Sequence, residues 1–254
     1  MRQRHHPAAD AVWLDVKLDS VEEQLALDEA LLEEAHEGGA SATVVRTWMA
    51  REPVVVVGSS SRVEEEVDLG ACRAAGVRVV RRPSGGLTVV LGPGCLMWSV
   101  VEPHPEGAPP IERIHARMLD PLATALSRAL DRPDGVARRG SSDLVISDAR
   151  GERKISGNAL RVRRHGVLYH GTLLDDFDIA LIERILRHPP REPDYRARRP
   201  HGEFLANLGL GTRVLETAVR EAFAAMHVRA AWPADRVARL VAERYASSAW
   251  TNRL

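Results

Sequence analysis

Residues 154–174 read KISGNALRVRRHGVLYHGTLL. Apolar residues recur on both sides of a His165-Gly166 step, and this predicts two strands, 153–163 and 167–174, joined by a turn. Small and polar residues interrupt these strands in two places. Lys154 stands beside Ser156-Gly157, and His170 precedes Gly171-Thr172. Small residues let a backbone approach a ligand closely, and a cation neutralises carboxylate or phosphate charge. Without a second segment, Lys154 reads as a solvated strand lysine and His170 as a packed or exposed histidine.

The second segment is RRPSGGLTVVLGPGCLMWS, residues 81–99. It sets Arg81 and Arg82 close to Ser84 and the Gly85-Gly86 pair, amid strands expected at 77–82, 87–91 and 96–102 with a turn at Gly92-Pro93-Gly94. Two arginines on a strand are commonly a solvated edge, and a Gly-Gly pair commonly a turn or bulge. Upstream, 12–18 alternate weakly as a strand would. Ser20 and Glu23 then form a capping-box pattern ahead of Val21, Leu25, Leu32 and Ala35 at helical spacing. Strands are expected at 43–48 and 54–57, and a short helix at 65–76. Ile111, Ile114, Met118, Leu122 and Leu126 share one helical face, which Pro121 should kink or cut short. Downstream come a strand at 143–147, a helix at 178–188, an irregular Arg- and Pro-rich stretch at 189–203, and helices at 212–228 and 233–246. There is no internal repeat. No Gly-x-Gly-x-x-Gly follows a strand, which argues against a dinucleotide fold. Clustered strands with helices at intervals predict an α+β fold.

Composition narrows the class. The chain has 254 residues and equal numbers of basic and acidic side chains, 35 each, so no net charge draws it to nucleic acid. Its two cysteines, Cys72 and Cys95, form no CxxC pair, zinc spacing or disulfide framework, as suits a reducing cytoplasm. MRQRHHPAAD has no signal-peptide core, and no apolar run reaches the roughly 20 residues of a membrane span. The expected organisation is a loose segment at 1–11 and one domain over 12–254.

Together the two segments resemble the signature of the lipoate–protein ligase family, within the biotin/lipoate ligase group. Its first motif, roughly Arg-Arg-x-Ser-Gly-Gly-Gly-x-Val-x-His, stands here as Arg81 to Leu91. Its second, roughly Asn-Asp-Leu, then Lys-x-Ser-Gly-x-Ala-x-Arg and His-Gly-Thr-Leu-Leu, stands here as Ser142-Asp143-Leu144, Lys154 to Arg161 and His170 to Leu174. The resemblance implies a mixed, largely antiparallel sheet flanked by helices. It implies ATP-dependent activation of lipoate or octanoate to an acyl-adenylate, followed by transfer to a lysine of a lipoyl acceptor domain. Lys154 would contact the substrate carboxylate and the nucleotide phosphate. Arg82, Ser84, Gly85, Gly86, Ser156, Gly157, Ala159, His170, Gly171 and Thr172 would line the substrate and adenylate site. Asp143 would be associated with the magnesium that enters with ATP, a strand cap being its plainer role. Arg82–Leu91 and the 135–142 loop are the expected covers over the intermediate.

The departures bear on function. Leu87 stands for the third glycine, Leu91 for the histidine and Cys95 for an asparagine, and Gly58-Ser59-Ser60-Ser61 lacks a glutamine. A Gly-Gly-Leu version also resembles octanoyl/lipoyl amidotransferases of the same fold. Those use a cysteine either just before His-Gly, where this chain has Val167-Leu168-Tyr169, or in the loop before the second motif, where Gly135–Ser142 contains none. That favours ATP-driven activation. The transferase and a catalytically degraded lipoyl- or nucleotide-binding scaffold stay open. The arginines at 184, 187, 191, 196, 198 and 199 read as a solvated face or as a dock for an acidic acceptor. The chain resembles the one-domain ligases, some of which need a separate accessory protein; neither a nucleic acid nor a membrane is expected as partner.

Overall fold

The computed structural model describes residues 11–16 and 18–254, so the expected loose segment, apart from Ala11, lies outside the described residues. In chain order the elements begin with β1 (Ala11–Leu14), α1 (Val21–His36), β2 (Thr43–Met49) and β3 (Val54–Val57). Two short helices follow, α2 (Val63–Glu66) and α3 (Leu69–Ala74), then β4 (Arg78–Arg81), β5 (Val89–Leu91) and β6 (Cys95–Pro103). The middle of the chain holds α4 (Ile111–Ala129), β7 (Val136–Arg139), β8 (Asp143–Asp148), β9 (Gly151–Arg163) and β10 (Gly166–Leu174). Then come α5 (Ile179–Ile185), α6 (His201–Phe204), α7 (Thr212–Ala222), β11 (His227–Arg229), α8 (Ala234–Leu240) and α9 (Ser248–Thr251).

Eight strands form one sheet in the order β11-β1-β2-β6-β10-β9-β8-β7, and β4-β3-β5 form a second, small sheet. Pairing in the large sheet is antiparallel except where β1 meets β2 and β11. The α+β architecture with a mixed, mostly antiparallel sheet is thus the one expected. β6 and β10 are its buried centre. Their alternating side chains feed two cores, because successive residues of a strand point to opposite faces. Val100, Val167 and Tyr169 pack with α4 and α7, while Val101 and Leu168 pack with α1 and the small sheet.

Local signals explain most elements. The Glu23 amide donates to Ser20 Oγ (3.2 Å) and the Ser20 amide to Glu23 Oε2 (2.9 Å), closing the capping box that starts α1. Three expectations are corrected. Of the kink or early end expected at Pro121, the end does not occur: helix α4 runs on through the proline, because Ile114, Met118, Leu122 and Leu126 bury one continuous face; that burial outweighs one lost backbone hydrogen bond. The 135–142 stretch is not a free loop, since Val136–Arg139 pairs with β8. The end of the helix expected at 212–228 is instead the strand β11, parallel to β1. Among the described residues no helix is long and apolar enough to cross a membrane.

Candidate active site

The loop between β4 and β5 lies over β9 and β10, and two connected cavities open there. One is a recess of about 140 Å³ whose apolar lining includes Leu174, Ile182, Leu186 and Phe204. The other is a wider cleft of about 650 Å³ that meets Arg82, Gly86, Met97, Ala159, His170 and Gly171. Leu87, Val89, Asp143, Lys154, Gly157, Thr172 and Arg191 border both. Lys154 therefore stands where the two meet.

The sequence around Lys154 folds to hold its ammonium in place. Nζ lies 2.8 Å from Asp143 Oδ1, and the other Asp143 oxygen accepts from Tyr195 Oη at 2.8 Å. A Cβ at position 157 would come within 2.8 Å of Nζ and 2.9 Å of Cε, so Gly157 is the residue that lets the lysine lie across the strand. Thr172 Oγ1 accepts from the Gly157 amide at 3.2 Å. At Gly171 a Cβ would sit 1.6 Å from Asn158 Oδ1, which excludes every other residue there without movement. Asn158 Nδ2 in turn donates to the Ser142 carbonyl (2.7 Å), and Ser142 Oγ to the Asn158 carbonyl (3.0 Å), so β8 and β9 are locked beside the cleft.

His170 belongs to a buried chain of polar contacts. Its Nε2 is 2.6 Å from Ser84 Oγ and its Nδ1 is 3.1 Å from Asp28 Oδ2. Asp28 Oδ1 accepts from Arg46 Nη1 (2.6 Å) and Ser99 Oγ (2.8 Å). Burial works to raise the Asp28 carboxyl, but Arg46, His170 and Ser99 together hold it below its ordinary value. An ionised Asp28 fixes the imidazole with its proton on Nδ1, leaving Nε2 to accept from Ser84. The order Ser-His-Asp is that of a nucleophile relay. Yet Ser84 is 1% exposed, borders neither cavity, and its Oγ also accepts from Arg82 Nε at 3.1 Å. Here the relay anchors the loop.

Arg82 does the same work from inside. Its guanidinium donates to the carbonyls of Val56 (3.1 Å), Gly85 (2.7 Å) and Leu87 (2.8 Å). Burial pulls it down to about 10, against the opposing pull of Glu66. Arg81, fully buried, donates to the carbonyls of Gly58 (2.6 Å), Ser61 (2.8 Å) and Thr251 (2.9 Å). Neither arginine is a solvated strand edge.

Of the expected site residues, Lys154, Asp143, Gly157 and Thr172 meet at the junction. Arg82, Gly86, Ala159, His170 and Gly171 face the wider cleft and Ser156 the recess, whereas Ser84 and Gly85 face neither. Asp28, Arg46, Asn158 and Tyr195 were not singled out in the sequence. Asp28 carried a usable signal: it sits one helical turn from Leu25 and Leu32, on the buried side of α1. The arginine stretch is not simply a solvated face. Arg196 is buried, and Arg196 and Arg199 lie 4.7 and 5.4 Å from the centre of the Phe204 ring, which pins the segment over the site.

Among the described residues no group of three or more His, Cys, Asp or Glu side chains could hold a metal. No resident magnesium cage surrounds Asp143 among the described residues; it is a single carboxylate bonded to Lys154 and Tyr195, and its expected contact is with magnesium that arrives on ATP. Both cysteines are free and buried, and neither borders the cavities. Burial pushes the Cys95 thiol up to about 12, and burial followed by Asp68 raises that of Cys72.

Residues 20–226 match the lipoyl protein ligase A/B catalytic domain. An octanoyltransferase LipM of Symbiobacterium thermophilum is 34% identical over 233 residues, covering 82% of this chain and 81% of that protein. A putative lipoate-protein ligase A of Aeropyrum pernix is 34% identical over 164 residues, covering 64% of this chain and 56% of that protein. Among solved structures, the bipartite lipoate protein ligase studied with its E2 lipoyl domain from Thermoplasma acidophilum superposes with a TM-score of 0.81 at 22% identity, covering 96% of this chain and 97% of that one. A lipoate-protein ligase A bound with ATP superposes with a TM-score of 0.79 at 21% identity, over 96% and 100% of the two chains.

Proposed function

This chain belongs to the lipoyl protein ligase A/B catalytic domain family, enzymes of lipoyl and octanoyl transfer, and from that we propose that it is an ATP-dependent lipoate–protein ligase. The observation that carries this reading is the placement of Lys154 at the junction of the cavities while both thiols are buried outside them. Joining a carboxylate to the α-phosphate of ATP brings two anions together. A fixed ammonium lowers that repulsion and stabilises the charge that builds up as pyrophosphate leaves. Asp143 and Tyr195 hold that ammonium in position beforehand.

The acyl chain packs on Leu87, Val89 and Met97, with its carboxylate toward Lys154. His170, Arg82 and Ser84 keep the loop shaped around it. Magnesium comes with the nucleotide as part of the substrate, and Asp143, beside Lys154, would be a carboxylate that meets it. A lysine of the acceptor domain then attacks the acyl carbonyl of the mixed anhydride, and AMP leaves. The reaction belongs in the cytoplasm, where ATP and acceptor proteins meet.

A second reading, octanoyl transfer from a carrier protein, has one observation of its own: the LipM relative aligns over more of the chain than the ligase relative does. It needs a nucleophile that neither buried cysteine supplies. Incubation with lipoate or octanoate and Mg-ATP, without acceptor, separates the two. The ligase releases pyrophosphate and retains acyl-AMP. Absence of adenylate, together with efficient transfer from an octanoylated carrier, overturns the ligase in favour of the transferase.

A further inference from the structure

A third cleft, about 460 Å³, adjoins the Lys154 cavities along two features at once. On β9 it begins at Leu160–Val162 where the wider cleft ends at Gly157–Ala159. A strand advances about 3.4 Å per residue, so along β9 the two linings lie roughly 10 Å apart. In the β4–β5 loop, Pro83 and Gly85 face this cleft while Arg82 and Gly86 face the other. One loop is thus the partition between them.

The walls are strongly basic. Arg161 enters from β9, and Arg244 and Arg253 from the C-terminal stretch. Glu29 alone, among the described carboxylates, pairs with them, taking Arg161 at 2.9 Å and Arg244 on the same oxygen. Its other oxygen accepts from Tyr245 Oη at 2.6 Å. Among the described residues Arg253 has no carboxylate partner; burial, followed by the fields of Arg244 and Arg161, lowers its pKa. The guanidinium groups are nonetheless ordered. Arg244 and Arg253 stand 4.7 and 4.0 Å from the centre of the Trp250 ring, and Trp250 Nε1 donates to the Arg81 carbonyl at 2.9 Å. Gathering like charges in a concave site costs stability unless an anion occupies it. Preoriented guanidinium forks match carboxylates two hydrogen bonds at a time.

We propose that this cleft docks carboxylate side chains of the acyl-accepting protein, placing the acceptor lysine beside Lys154. The inference rests on the reading above that the acyl group passes to a protein lysine. An acidic protein surface is favoured over a small anion because Glu29 already lies between Arg161 and Arg244, and because the arginines border Val162, an apolar side chain 41% exposed beside them, as at a protein-binding face.

The test measures binding of an acidic apo lipoyl acceptor domain by titration calorimetry at low and high salt, to the wild-type chain and to Arg253→Glu. Pyrophosphate release with lipoate and ATP is followed separately, without acceptor. The expected result is acceptor binding weakened at least about tenfold by Arg253→Glu at low salt, with most of the salt dependence gone. Arg253→Lys should recover only part of the affinity, because an ammonium keeps the charge but not the stacked fork, and pyrophosphate release should not change in either variant. Equal acceptor affinity in wild type and a folded Arg253→Glu protein overturns the proposal. So does weakened binding of a phosphopantetheine-bearing carrier with acceptor binding intact, because the cleft would then be a phosphate site. If Arg253→Glu does not fold, Arg253→Gln is read by the same criteria. A wild-type chain that releases no pyrophosphate, yet binds acceptor through Arg253, retains the dock and loses the ligase reading.

Discussion

Lys154 and Gly157 are best understood as one unit. The ammonium occupies the space a side chain at 157 would fill, which is why Lys-x-Ser-Gly is a spacing and not just a composition. Asp143 pairs with that ammonium at 2.8 Å, so the lysine is ordered before substrate arrives. If the ammonium stabilises the transferring phosphate, Lys154→Ala should slow acyl-adenylate formation at least about 100-fold, the scale of removing one preorganised donor. Lys154→Arg should fail too, because a planar fork does not fit where a compact ammonium crosses a glycine. Pyrophosphate release by both variants, alongside unchanged thermal unfolding, is the measurement. Near-normal rates in both would reduce Lys154 to a partner of Asp143.

At the scale of elements, α1 is more than a helix packed on a sheet. Its Asp28 joins Arg46 of β2, Ser99 of β6 and His170 of β10, and through His170 it reaches Ser84 in the β4–β5 loop. The Gly-Gly loop is thereby keyed to the core. Arg46 is 1% exposed, and Asp28 is the acidic group it pairs with. Asp28→Asn leaves that guanidinium buried without a counter-charge and should destabilise the fold by about 3–5 kcal/mol. Urea unfolding reads this directly. A loss below about 1 kcal/mol would mean that Arg46 finds another partner. The same logic explains α4, where a continuous apolar face carries the helix across a proline that the local rule would have made a break.

For the whole molecule, His201 and Asp28 are two of the buried groups that contribute to the response to acid. Burial first, and Arg196 second, hold the His201 imidazole down to about 4, with Glu183 pulling the other way and His188 and Lys154 adding to the decrease. The unfolded value is about 6.5, so between these limits the unfolded chain binds more protons. Stability is therefore full above about pH 6.5, falls as pH drops toward 4, and loses up to about 3 kcal/mol from this group. Asp28 acts lower on the scale. Its contribution is complete above about pH 4, the unfolded value, and is lost as pH falls through its depressed folded value. Denaturant midpoints from pH 7 to 4 should decline in the wild type. In His201→Gln the decline between 6.5 and 4 should be smaller, and an unchanged slope would assign it elsewhere.

Much of this molecule is settled by short-range pattern. The capping box of α1, the strand pairs around His165-Gly166 and the α+β class follow from side-chain periodicity and turn residues, which act over a few positions. So do the identities of Lys154, Gly157, His170 and Gly171, whose spacing reflects contacts within neighbouring strands. What local pattern did not contain was the partner of each polar group. Asp28 and His170 are 142 positions apart, Asp143 and Tyr195 are 52, and Arg81 and Thr251 are 170. β11 pairs with β1 across nearly the whole chain, a contact no local propensity encodes. Buried charges cost too much to stand alone, so the completed fold brings their counter-charges together. That is why Arg81, Arg82 and Ser84 are seen to brace the loop only once the chain is folded, whereas the pairing of a cation with close-approach glycines is already written in the spacing of residues 154–157.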